Sequence, residues 1–323
     1  MEKIRLGVMG GASIAERLMI PAILSLPKQF ELVAIASRTK ENASKFSNLF
    51  NVEGLVGYDL LIDRKDIDAV YMPLPTGLHQ EWITKSLNAK KNVLAEKSLA
   101  MSFNNALELV NLAKSNNLLL MENFMFRYHS QHKFVFNILE NNELGKIRLF
   151  RSQFGFPPLD DNNFRYNREM GGGSLLDAAA YTVRASQWFL GENQRVLSAV
   201  LYLKNGVDLW GNATLINDNN IISQISFGFD NYYKCNYEFW GAKGNIIAER
   251  AFTPKANDIP TILMEKNGQS ERIAMEADNH FENILKEFYN SIQSKQHDKH
   301  LDDILNQSRI LTEIQEKAIK VNI

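Results

Sequence analysis

The sequence predicts an α/β protein. Its first part reads as a parallel sheet covered by helices, and its second as an α+β domain with a large, mostly antiparallel, open-faced sheet. Three observations predict this. Up to about residue 120, short apolar runs alternate with longer stretches of helical spacing, and near-continuous apolar strands belong to a parallel sheet buried on both faces. From residue 196 onward, β-rich segments follow one another with only short turns between them, as in an antiparallel meander. The length, 323 residues, suits two domains, which we draw as 1–122 and 123–323.

In the first part, strands are expected at 5–9, 31–36, 68–72, 92–95 and 118–121. Helices are expected between them at 14–26, 40–50, 79–89 and 104–115. Pro21 lies inside the first helix, where its missing amide and its ring predict a kink or an early stop. In the second part a helix at 131–141 precedes a strand at 147–156, and Gly171-Gly172-Gly173 opens a helix at 174–190. The meander spans 196–248, with turns at 204–206, 217–220, 230–231 and 241–244, and helices at 278–294 and 301–320 close the chain.

Composition excludes several classes of function. Lys plus Arg is 36 and Asp plus Glu is 37, a formal net charge of −1, so neither a cation-driven nucleic-acid binder nor a polybasic membrane anchor is supported. No stretch approaches the roughly 20 apolar residues of a membrane span. Cys235 is the only cysteine, which rules out an internal disulfide or a cysteine zinc cage. The first residues lack the apolar core of a signal peptide, and a cytoplasmic protein is expected. His129 and His132, and His297 and His300, are three apart but lack an H-E-x-x-H frame or a cysteine partner. They read as ordinary surface or core histidines, and no metal is expected.

The turn Gly10-Gly11-Ala12-Ser13-Ile14-Ala15 stands between the first strand and the first helix. Backbone amides at a helix start there can hold a pyrophosphate, as in a Rossmann fold. Gly10 fits the first glycine of G-x-G-x-x-G, whereas Ala12 and Ala15 replace the second and third. The second strand ends Ser37-Arg38-Thr39-Lys40, where an NAD site would carry Asp or Glu. Hydroxyls and a guanidinium suit a 2′-phosphate, so NADP(H) is expected, with NAD(H) as the alternative. Gly10, Ala12, Ser13, Ile14, Ser37, Arg38, Lys40 and Tyr58 form the expected cofactor set.

Lys97 ends the strand at 92–95, and carboxyl ends of parallel strands line the ligand crevice. It either serves a substrate oxygen or a neighbour's pKa, or is a solvated lysine. Ser174 and Asp177 have the S-x-x-[DE] spacing of a capping box. Asp177 and Tyr181, four apart, share a helix face, which makes Asp177 a catalytic candidate as well. Tyr181 either protonates a carbonyl oxygen or is a core tyrosine. Arg165 and Tyr166 are substrate candidates, Arg165 equally an ion-pair residue.

Taken together, these motifs resemble the Gfo/Idh/MocA oxidoreductases. The likeness runs through residues 10–15, Glu96-Lys97-Ser98, 124–131, 163–166 and 171–181. Residues 6–15 with Pro21-Ala22, and 181–185, are most similar to the nucleotide-sugar 3-ketoreductase branch. The dimeric dihydrodiol dehydrogenases and NADP-dependent xylose dehydrogenases are nearly as similar. The resemblance implies that Lys97 and Tyr181 are the catalytic pair and that Pro73, Leu74, Pro75, His79, Glu96 and Lys97 line the cofactor site. It implies reduction of the C-3 ketone of a nucleotide-linked deoxysugar, with Tyr181 as proton donor. The alternatives are a free aldose or trans-dihydrodiol dehydrogenase, or a non-catalytic cofactor-sensing regulator. Ser98 stands where the family has proline, and Tyr181 where the inositol dehydrogenases have histidine. The expected partners are a sugar or nucleotide-sugar and, through the flat sheet, a second copy in a homodimer or homotetramer.

Overall fold

A computed structural model describes residues 2–323. The chain forms two compact units, Met1–Asn123 with Phe281–Leu305, and Phe124–His280 with Asn306–Ile323. A single division after residue 122 therefore leaves out the return of Phe281–Leu305 to the first unit.

The first unit runs β1 (Ile4–Met9), α1 (Ile20–Leu24), β2 (Phe30–Ser37), α2 (Lys40–Phe50), β3 (Glu53–Val56), α3 (Tyr58–Ile62), β4 (Ala69–Met72), α4 (His79–Asn88), β5 (Asn92–Ala95), α5 (Phe103–Asn116) and β6 (Leu120–Glu122). All six strands are parallel, in the order β3-β2-β1-β4-β5-β6. Every residue of β4 is buried, as strands covered on both faces require. The strand order reverses between β1 and β4, which places the topological switch point at their carboxyl ends. The core includes Leu301 and Ile304 from the returning segment.

Three local differences from the sequence reading have physical causes. The first helix is a π-helical turn at Ala15–Met19 followed by α1, whose first turn holds Pro21. The wider turn, with Ile20 N bonded to Ala15 O, accommodates the proline without a break. The edge strand β3 and the short α3 escaped the periodicity because β3 has no fully buried residue and α3 has only five residues.

The second unit starts with α6 (Gln131–Glu140), β7 (Ile147–Gly155) and α7 (Ser174–Leu190). The strands β8 (Gln194–Lys204), β9 (Val207–Asn217), β10 (Ile222–Gly228), β11 (Lys234–Gly241), β12 (Gly244–Ala248), β13 (Thr261–Lys266) and β14 (Gln269–Ala274) follow, and the expected meander is broken in two because β7 lies between β10 and β11. Last come α8 (His280–Ser294), α9 (Asp298–Lys317) and β15 (Ile319–Asn322). The nine-stranded sheet has the order β14-β13-β12-β11-β7-β10-β9-β8-β15 and is antiparallel except at β7/β10 and β8/β15. Alternation is clear in β11, where Cys235, Tyr237 and Phe239 are buried while Glu238 and Trp240 face outward. Helix α7 packs against β7, β9 and β10. The run β11–β14 extends past 248 through the β13/β14 hairpin, whose Asn267-Gly268 turn has two positive φ angles. The last helix stops at Lys317, and the chain ends in β15 beside β8 instead of continuing helically to 320.

The paired histidines lie in the two cores. His132 Nδ1 meets Tyr237 Oη at 2.7 Å, and His300 Nε2 meets Ser291 Oγ at 2.9 Å. Among the described residues no cluster of three or more His, Cys, Asp or Glu side chains is arranged for a metal ion, and no helix is long and apolar enough to cross a membrane.

Candidate active site

In the first unit the carboxyl ends of the strands bring the expected cofactor residues together. Gly10 follows β1 at φ +122°, and a Cβ there would lie 2.9 Å from the Leu74 side chain and 3.5 Å from the Pro73 carbonyl oxygen. A Cβ on Gly11 would lie 2.9 Å from the Phe46 ring. The first helical bond runs from Glu16 N to Ala12 O (3.1 Å), so the amides of Ser13, Ile14 and Ala15 precede any intrahelical acceptor. Bare backbone with unspent amide donors fits a pyrophosphate.

At the end of β2, Ser37 is buried and its carbonyl accepts from Gly57 N at 2.8 Å, which draws Tyr58 alongside. Burial raises the Tyr58 pKa, and a hydrogen bond from the exposed Arg38 opposes this. Thr39 caps α2, accepting from Asn42 N at 3.3 Å, so its hydroxyl serves the helix. Lys40 is exposed in the first turn, and the next acid along the chain, Glu41, already belongs to α2. A guanidinium with a buried hydroxyl and no acid at 37–40 fits a phosphate better than a ribose 2′-OH.

Lys97 follows β5, is partly exposed, and precedes a cis peptide to Ser98. Glu96 is buried beneath it and does not point outward as a lining residue. Its Oε1 accepts from Tyr71 Oη at 2.8 Å and from Asn123 Nδ2 at 2.6 Å, and burial raises its pKa against those bonds and the charge of Lys97. His79 is likewise fully buried. Its Nε2 faces the Leu74 carbonyl at 2.9 Å, and its Nδ1 faces those of Ser98 and Leu99 at 3.1 and 3.0 Å. Burial lowers its pKa against these carbonyls. His79 thus ties the Pro73-Leu74-Pro75 segment to the segment after Lys97.

In the second unit the start of α7 collects the remaining candidates. Tyr181 is 5% exposed and is boxed by Phe124, Phe126, Phe154 and Phe252, with ring centroids 6.0, 5.9, 5.0 and 5.7 Å away. Its hydroxyl lies 3.9 Å from Met125 Sδ. Asp177, one turn earlier, forms an ion pair with Arg165 Nε. Arg165 also stacks on Phe164, and its carbonyl accepts from Gly173 N at 2.9 Å. Tyr166 accepts from Leu159 N at 3.0 Å and packs edge-on against Phe229.

The capping-box reading of Ser174 and Asp177 is corrected. The N-cap is Gly173, which has no side chain, and Ser174 is the first helical residue. The cap comes from β9, where Asp208 Oδ2 accepts from Ser174 Oγ at 2.8 Å and from Leu175 N at 2.6 Å. Burial pushes the Asp208 carboxyl up to about 6. Asp208, Tyr71 and Asn123 were not foreseen. The one available signal was an acid set between apolar Val207 and Leu209 in a strand.

Two family models match the chain: the oxidoreductase family with an NAD-binding Rossmann fold over residues 4–124, and the Gfo/Idh/MocA C-terminal domain over 132–247. The dTDP-3,4-didehydro-2,6-dideoxy-alpha-D-glucose 3-reductase of Saccharopolyspora spinosa is 40% identical over 90% of this chain and 88% of its own length. The crystal structure of KijD10, a 3-ketoreductase from Actinomadura kijaniata, in complex with NADP and TDP-benzene, superposes with a TM-score of 0.97 at 37% identity over 100% of both chains. Two further structures of that enzyme carry a lysine-to-alanine and a tyrosine-to-phenylalanine replacement, separated along the chain as Lys97 and Tyr181 are here. A Rossmann sheet joined to a large open sheet, with these matches, defines an NAD(P)-dependent oxidoreductase. The chain belongs to the Gfo/Idh/MocA family.

Proposed function

We propose that the protein is an NADP(H)-dependent ketoreductase that reduces the C-3 ketone of a dTDP-linked 2,6-dideoxysugar. The observation that carries this is the chain-long similarity to a dTDP-sugar 3-reductase, together with a lysine and a tyrosine at the separation altered in the KijD10 variants. The arrangement at the end of β2 supports NADP(H): Arg38, Ser37 and Lys40 hold the 2′-phosphate, and Tyr58 steadies Arg38. The Gly10 turn with the amides of Ser13 and Ile14 holds the pyrophosphate. Pro73, Leu74 and Pro75 border the cofactor directly, whereas His79 and Glu96 act through the backbone they fix.

When bound, the reduced nicotinamide supplies the hydride. Tyr181 delivers the proton to the oxygen that becomes the alcohol, and its aromatic box excludes water from that hydroxyl. Lys97, the other member of the proposed pair, polarises the ketone oxygen. Asp177 acts by holding Arg165, and Arg165 with Tyr166 borders the sugar. A cytoplasmic homodimer or homotetramer is part of the same proposal. The outward face of the sheet, with Arg151, Gln153, Gln224 and Glu238 flanked by the exposed Trp240, supports pairing with a second copy.

The test is NADPH oxidation, followed by absorbance, with a dTDP-linked 3-keto-2,6-dideoxysugar, NADH as comparison, and the product's C-3 configuration read by NMR. Turnover with NADPH and a C-3 alcohol is expected. Turnover only with a free aldose or a trans-dihydrodiol and NADP would replace this reading with the corresponding dehydrogenase. Light scattering tests the oligomer.

A further inference from the structure

The helix that carries Asp177 and Tyr181 begins without a cap of its own. The first amides of a helix need acceptors, normally a Ser, Thr, Asp or Asn at the N-cap. Gly173 occupies that place at φ +114° and offers none. A Cβ on Gly173 would collide with Asp208 Oδ1, so the site is shaped for a carboxylate arriving from elsewhere. That carboxylate belongs to Asp208 on β9, some thirty residues further along the chain, and one of its oxygens takes both the Ser174 hydroxyl and the Leu175 amide. A negative charge is also favoured at a helix N-terminus, where the helix dipole is positive.

The turn before the helix is held by two further ties. Gly173 N donates to the Arg165 carbonyl, and a Cβ on Gly172 would lie 2.5 Å from that same oxygen and 2.6 Å from the Asn167 carbonyl oxygen. The Arg165 side chain returns to Asp177. Positions 173, 174, 175 and 177 are thus fixed in space by groups outside the helix. Tyr181 follows one turn after Asp177 on the same face.

We propose that Asp208 is a positioning residue of the active site: by capping α7 from strand β9 it sets where Asp177 and Tyr181 stand. The proposal rests on the ketoreductase reading for its activity measurements, but its structural arm does not. Asp208 touches neither cofactor nor sugar in this scheme. Its loss should therefore lower kcat while leaving the KM for NADPH in place, because the cofactor residues belong to the other unit.

The experiment compares the wild type with Asp208→Ala, Asp208→Asn and Ser174→Ala. It measures kcat and KM with NADPH and the dTDP-linked 3-ketosugar, and backbone hydrogen exchange across residues 174–182. Asp208→Ala is expected to lower kcat about tenfold or more, keep the NADPH KM within about twofold, and speed exchange in the first turn of α7 about tenfold. Asp208→Asn, which keeps an acceptor for Leu175 N, should recover most of kcat, and Ser174→Ala should fall between the two. Should Asp208→Ala not fold, Asp208→Asn and Ser174→Ala decide the question. Unchanged kcat in folded Asp208→Ala, or unchanged exchange at 174–178, overturns the proposal. So does an Asp208→Asn enzyme as slow as one lacking the carboxylate. A wild type that does not reduce the sugar sinks the ketoreductase reading alone, and the exchange comparison still decides whether Asp208 fixes the helix.

Discussion

The strand ends of the first unit and the start of α7 in the second hold their functional side chains in different ways. In the first, each candidate sits on or beside the strand end that presents it: Gly10 after β1, Arg38 after β2, Lys97 after β5. The parallel sheet sets their spacing, and short contiguous motifs carry the chemistry. In the second, Asp177 and Tyr181 depend on partners brought from elsewhere: Arg165 from the preceding loop, Asp208 from β9, Phe252 beyond β12. The lesson is that a site built on strand ends is written locally, whereas a site built on a helix needs long-range contacts to fix the helix.

The sharpest test of the contrast is the pair Lys97 and Tyr181. Tyr181→Phe and Lys97→Ala should each lower kcat by about two to four orders of magnitude while leaving the NADPH dissociation constant within about twofold, measured by steady-state kinetics and fluorescence titration. Near-normal turnover in both would remove them from the mechanism. Next in size is Gly10→Ala. A side chain at φ +122° that also presses on Leu74 should cost about 2 kcal/mol or more and weaken NADPH binding at least tenfold by calorimetry.

Arg38→Gln should raise the KM for NADPH about ten- to fiftyfold and leave that for NADH nearly unchanged, since only the former loses a charge-assisted bond. Tyr58→Phe should have the same sign and a smaller effect, because it only frees Arg38. Equal losses with both cofactors would show that the end of β2 does not read the 2′-phosphate.

A further prediction concerns stability against pH, to which the second unit contributes through two buried histidines. Burial pulls His132 and His280 down to about 3, so both are neutral in the folded protein. The unfolded chain takes up these protons near the ordinary histidine value, so stability present above about pH 6.5 is lost as pH falls, by about 2 kcal/mol per histidine at pH 5. Asp208 works the other way. Its carboxyl, raised to about 6, takes a proton in the folded state first and offsets about 1 kcal/mol at pH 5. The melting temperature should fall by several degrees between pH 7 and pH 5, and replacing His132 by Phe should flatten the slope. A melting curve insensitive to pH would contradict the neutral, buried histidines.

Much of the first unit was legible, because buried parallel strands such as Ala69–Met72 are uniformly apolar and their carboxyl ends are fixed by topology. The half-exposed edge strand β3 was not, since its pattern is set by what it pairs with. In the second unit α7 and most of the meander could be read from Gly171-Gly172-Gly173 and the Asn205-Gly206 turn. Its cap could not, because no local pattern links Ser174 to Asp208. The ion pair of Arg165 with Asp177 could not be read from spacing alone. His79 entered only through the family resemblance, and its ring nitrogens face the carbonyls of Leu74, Ser98 and Leu99, contacts that no local pattern announces.

The return of Phe281–Leu305 to the first unit bears on how the protein is made. Leu301 and Ile304, almost fully buried, complete a core whose other members lie within the first 120 residues. On the ribosome, the leading unit must wait for most of the chain before its interior can close. A gene fragment ending at residue 123 would expose the apolar surface those two side chains cover. Dissecting the two units therefore calls for a spliced first unit that carries 281–305 with it.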